Sequence, residues 1–101
     1  MDDTSQIVIP ESFIALYVSG PGKRPSLPRT ELTARYELCE DLATLLTEQC
    51  QAVQFRDDLP EDIVLRRTLQ GLQASPDTVT PQEAVWVVRR TAELLAWTFD
   101  V

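Results

Sequence analysis

Between Arg29 and Phe55 the apolar residues Leu32, Tyr36, Cys39, Ala43, Leu46, Cys50 and Val53 recur at steps of four and three. That spacing keeps side chains on one face of an α-helix. With about 100° between successive residues, Leu38, Leu42 and Leu45 fall roughly a quarter-turn round from this seam, so the apolar arc covers about half the circumference. A helix of this kind predicts two neighbours, one for each seam. On its opposite side Glu37, Glu40, Asp41, Thr44 and Glu48 form an acidic stripe expected to face water. Pro28 suits the first turn, where its missing N–H has no intrahelical partner, and Arg56, Asp57, Asp58 and Pro60 end the pattern. The helix therefore spans 28–56. At about 1.5 Å per residue it is roughly 40 Å long, a full dimension of a small domain.

The rest of the chain is organised around it. A length of 101 residues is one domain with a modest core. Residues 1–6 read as frayed. Pro10-Glu11-Ser12 opens a short helix through Phe13, Ile14, Leu16 and Tyr17 that ends near Gly20, the alternative being an extended strap across the bundle. Ser19 to Pro28 is rich in glycine and proline and reads as a loop. Residues 1–27 are thus an N-terminal segment with a Pro/Gly loop, and 28–101 carry the bundle.

A second bundle helix follows over 61–74, with Glu61 and Asp62 where the helix dipole favours acids. Its inner face is Val64, Leu65, Thr68, Leu69 and Leu72, and Gly71 weakens it near the end. Thr80-Pro81-Gln82-Glu83 combines a threonine cap, proline at the first position and a glutamate three residues on. That starts a third helix over 81–98, with Ala84, Val85, Val88, Ala92, Leu95 and Phe99 towards the core. The expected architecture is all-α: a three-helix bundle built around one long central helix, with an N-terminal short helix or strap.

Composition removes several chemistries. There is no histidine, the commonest general base and metal ligand. Cys39 and Cys50 stand on one helix about 16 Å apart, beyond disulfide reach, and cannot form a zinc site; they read as buried small hydrophobes, the alternative being an intermolecular bridge under oxidation. Asp57, Asp58, Glu61 and Asp62 lack the alternation and central glycine of a calcium loop and read as solvated capping acids. Gly20-Pro21-Gly22-Lys23 fails as a phosphate loop, because Tyr17 stands where a glycine is needed and Arg24 where a serine or threonine is needed. No catalytic residue, cofactor or metal is expected.

Sixteen acids against nine bases give a net charge of −7, which argues against binding nucleic acid, since no excess positive charge is present to displace phosphate counterions. No run reaches the 18 or more apolar residues of a membrane span, and Met1-Asp2-Asp3 is acidic where a signal peptide is basic, so the expected location is the cytoplasm.

Trp86, Arg90, Glu93 and Trp97 lie at steps of four, three and four on the third helix, away from its core residues. Two tryptophans call for cover, either by Phe13, Leu16 and Tyr17 of the N-terminal segment or by another molecule. Trp and Arg are enriched at interface hot spots. Phe13, Leu16, Tyr17, Trp86, Arg90 and Trp97 are therefore the candidate partner-binding residues, for a protein partner or a second copy in a homodimer. Arg66, Arg67, Arg89 and Arg90 stand as adjacent pairs that reach either the acids of the central helix or an acidic partner.

The stretches Ser12-Phe13-Ile14-Ala15-Leu16-Tyr17, Ala34-Arg35-Tyr36-Glu37-Leu38-Cys39-Glu40-Asp41-Leu42 and Trp86-Val87-Val88-Arg89-Arg90 resemble a family of short uncharacterised bacterial proteins whose usual label is ATPase with chaperone activity. The resemblance implies binding of proteins, and for its ATPase half binding of ATP; it assigns no residue a role. The leading expectation is a small cytoplasmic helical interaction module, an adaptor, regulator or co-chaperone without catalysis. The alternatives are an ATP-binding chaperone-type protein and an acidic inhibitor that mimics nucleic acid through Glu37, Glu40, Asp41 and Glu48.

Overall fold

A computed structural model describes residues 8–99 of the protein; the frayed segment expected over 1–6 lies outside them. The described residues are helical and carry no strand. In chain order they form α1 (Glu11–Ile14), a 3-10 turn (Ala15–Tyr17), α2 (Arg29–Asp57), α3 (Glu61–Gln73) and α4 (Pro81–Leu95). The expected all-α architecture around one long helix is therefore present. The chain divides into two compact units, Met1–Leu38 and Cys39–Val101, with the boundary falling within the span of α2.

In the first unit the Pro10 carbonyl accepts from the amides of Phe13 and Ile14 at 3.0 and 3.1 Å, which starts α1 without a side-chain cap. The brief helix was the expected form of this segment. Phe13 is fully buried, with its ring 5.7 Å from that of Tyr17 and 5.6 Å, nearly edge-on, from that of Tyr36. Such tilted pairs set a positive ring edge against a negative face. The Pro/Gly loop returns to this cluster through the Ser26 amide, which donates to the Tyr17 carbonyl at 2.7 Å. Pro28 stands just outside α2, and its carbonyl accepts the first helical bond, from Leu32 at 2.9 Å.

In the second unit α2, α3 and α4 run up, down and up. Cys50 of α2 meets Thr68 of α3 at 3.5 Å across their hairpin. The side chains of Cys50, Val64, Leu65, Val88 and Ala92 make the core, with Val53, Leu69, Leu72 and Leu95 packed against it. The Thr80 signal is realised as a complete capping box. Thr80 Oγ1 accepts from the Glu83 amide at 3.1 Å, and the Glu83 carboxylate accepts from the Thr80 amide at 2.9 Å. Val79 before the cap and Ala84 four residues into the helix are both fully buried, at the positions that form a hydrophobic staple.

Two details of α4 differ from the sequence pattern. Burial extends beyond the expected face to Glu83, Trp86, Val87 and Thr91, so α4 is enclosed on most of its circumference. The hidden Thr91 hydroxyl is accommodated because its oxygen lies 2.8 Å from the Val87 carbonyl and 3.3 Å from that of Ala43. The helix also stops at Leu95 and not at residue 98. Ala96 adopts a left-handed φ of 60°, and the amides of Ala96 and Trp97 donate to Glu93 and Ala92 at 3.1 and 2.8 Å. This paired pattern is the Schellman closure of a helix end.

Candidate protein-binding face

The residues expected to meet a partner are mostly committed to the chain itself. Phe13 is fully buried and Trp86 is only 8 % exposed. Leu16 and Tyr17 are half-buried. Trp97 does not continue along the outer face of α4, because the reversal at Ala96 turns it, with Phe99, onto the core around Cys50, Val64 and Ala92. The four-three-four spacing from Trp86 to Trp97 treats as helix a position that lies past the helix end.

Arg90 is held from two sides. Its Nε and Nη2 each donate at 3.0 Å to the Glu40 carboxylate, and Nη1 donates to Glu93 at 3.1 Å. The hydrogen bonds it donates to Glu40, and to a smaller extent the one to Glu93, raise the affinity of the guanidinium for its proton against the opposing effect of burial. Glu40 thus leaves the water-facing stripe, while Glu37, Asp41 and Glu48 remain exposed. Arg66 lies 4.0 Å from Asp62 one turn away, a solvated pair of small energetic weight.

Gly20-Pro21-Gly22-Lys23 closes as a turn, with the Lys23 amide donating to the Gly20 carbonyl at 3.1 Å. Gly22 has a φ of +74°, the conformation for which glycine is favoured after a proline in a tight turn. Among the described residues no group of three or more acids or cysteines is arranged to hold a metal ion. No helix among them is long and apolar enough to cross a membrane.

Most of the large apolar side chains left open lie on α2, with Val8 ahead of α1 and Leu94 on α4 exposed as well. Leu38 is 39 % and Leu45 is 65 % exposed, and Phe55 near the helix end is 91 % exposed. The second seam was expected to receive a neighbour of its own. Instead α3 and α4 both close on the first seam, α3 at Cys50 and α4 at Ala43, with α4 also reaching Glu40 of the neighbouring acidic stripe. Leu45 is left projecting and Leu42 half-covered.

No family model matches the chain, and no curated protein or solved structure matches it. Its chemistry is therefore read from its own surface. An open groove of about 350 Å³ runs between α2 and α3; Leu45 lies outside its lining, next to Leu46 and one turn before Gln49, which belong to it. Leu46, Cys50 and Val53 line it from α2, and Val64, Thr68 and Leu72 from α3, while Gln49, Arg67 and Gly71 complete it. Gly71 adds depth, since a methyl group built there meets no atom within 4 Å. Burial raises the pKa of the Cys50 thiol against the smaller opposing effect of its contact with Thr68, which keeps it a neutral lining group and not a nucleophile.

The groove was missed because its parts lie on two helices and no periodicity within either helix reports their spacing. The ridge beside it was signalled by the second seam itself.

Proposed function

We propose that the protein is a small helical interaction module that works by holding another protein and carries out no catalysis of its own. The observation that supports this reading is the exposed Leu45, with Leu42 beside it, at the edge of an open apolar groove. An apolar ridge next to a groove is the kind of surface that marks a protein contact, unlike a single scattered leucine. The binding surface on this reading is α2 and α3, while the Trp86 side of α4 belongs to the fold.

The test is affinity capture from source cells with the full chain and with Leu45→Asp, followed by rebinding of the purified captured protein. A partner retained by the first and lost by the second, at unchanged helicity, supports the module. Calorimetric titration with Mg-ATP tests the rival class. A saturable site that disappears in Lys23→Ala would overturn the reading.

A further inference from the structure

Resting on the module reading, we infer that the occupant of the α2–α3 groove is an amphipathic helix of another protein, with lysine or arginine along one flank of its apolar seam. On α2 the face beside the groove carries Leu42, Leu45, Gln49 and Ala52 at alternating steps of three and four, the spacing of a helix-on-helix seam. Between positions 42 and 53 this face is roughly 16 Å long, so about three turns of a partner helix cover it.

The two edges of the site differ in charge. Asp41 and Glu48, seven residues apart on α2, flank the leucines on the side away from the groove. Both are exposed, and neither forms an ion pair among the described residues. The α3 edge offers the exposed Arg67 and the gap above Gly71. A helix seated on Leu42 and Leu45 thus presents one flank to two carboxylates about 10 Å apart along α2, a spacing matched by cations two turns apart.

A second copy of this chain fits poorly. Each copy carries a net charge of −7. In an antiparallel pairing of α2 with itself, the flank of Asp41 and Glu48 meets the same flank of its mate. Like charges at that range act against association.

The probes are two synthetic, fluorescein-labelled helical peptides of about 14 residues, one with a leucine seam flanked by lysines and one with glutamates in their place. Anisotropy is read against the full chain, Leu45→Asp and Gly71→Leu. Leu45 is mostly exposed and position 71 has open space, so both variants keep the fold, as circular dichroism will verify. The lysine peptide should bind the full chain, lose at least about tenfold in affinity to either variant, and weaken with added salt. The glutamate peptide should bind at least about tenfold more weakly than the lysine peptide.

Leu45→Asp separates docking from general attraction, because its added charge strengthens diffuse binding of a cation while removing the seam. Unchanged or tighter binding of the lysine peptide to this variant overturns the inference. So does equal binding of the glutamate peptide; if that binding is lost in Leu45→Asp, the module reading stands without its basic partner. A full-chain dimer in light scattering that Leu45→Asp dissolves makes a second copy the occupant and also overturns it. Failure of both peptides sinks the inference alone, since the module reading falls only if capture of a cellular partner is also indifferent to Leu45.

Discussion

Arg90 and Glu40, fifty positions apart, form a two-pronged ion pair, with Nε 3.0 Å from Oε1 and Nη2 3.0 Å from Oε2. The side chains are 33 % and 26 % exposed, between a solvated pair and a buried one. The planar fork fixes how α4 lies along α2, something a lysine at the same position could not do. A double-mutant cycle with Arg90→Met and Glu40→Gln should give a coupling of about 1 kcal/mol in urea unfolding. Glu93→Gln should change stability by less than about 0.5 kcal/mol, because Glu93 is mostly exposed. Zero coupling between Arg90 and Glu40 would mean that the pair does not persist in solution.

Trp86 offers a direct test of whether the α4 surface belongs to the fold or to a partner. At 8 % exposure in the isolated chain, the indole is hidden by the protein's own atoms. Trp86→Ala should cost about 3–5 kcal/mol of stability, read as a lower urea midpoint. In a Trp97→Phe background the remaining emission should be blue and resist quenching by acrylamide. Red, readily quenched emission with unaltered stability would return this surface to the candidates for binding.

Periodicity was sufficient for the helices, because a 3.6-residue repeat is a local property that Leu32, Cys39, Ala43, Leu46 and Cys50 display in full. All five are buried. The Thr80 cap was equally legible, since its partner Glu83 lies only three residues away. What local pattern does not encode is the choice between two apolar seams on α2. Packing made that choice, closing α3 and α4 on the seam of Cys50 and Ala43 and leaving Leu45 open. The end of α4 was hidden for another reason: no glycine marks the left-handed position, and alanine is otherwise the best helix former.

Cys50 should behave as an apolar lining group whose ionisation is suppressed by burial. The residue is 1 % exposed and its pKa is raised. At pH values below the usual thiol range both folded and unfolded forms hold the proton, and the thiol has no effect on the pH dependence of stability. As pH climbs through that range the unfolded thiol ionises first, so the contribution of Cys50 falls. The stability advantage of the native chain over Cys50→Ala should therefore shrink as pH rises above about 8. Titration of urea midpoints for both proteins provides the measurement, and a widening gap would contradict a raised pKa.

Ala96 stands in a left-handed conformation that costs an L-residue about 1–2 kcal/mol, and it holds the Schellman closure that turns Trp97 onto the core. The side chain is exposed, so its replacement by glycine removes no buried surface. Glycine relieves the steric penalty but loses more backbone entropy on folding, and the balance favours Ala96→Gly by about 0.5–1 kcal/mol. Asp58, with a φ of 51° just past α2, gives an internal comparison. Aspartate tolerates this region better than alanine, so Asp58→Gly should gain less. Thermal unfolding of the two single variants measures the difference. A lower melting temperature for Ala96→Gly would mean that the chain does not reverse at residue 96, and that α4 instead carries Trp97 outward towards solvent.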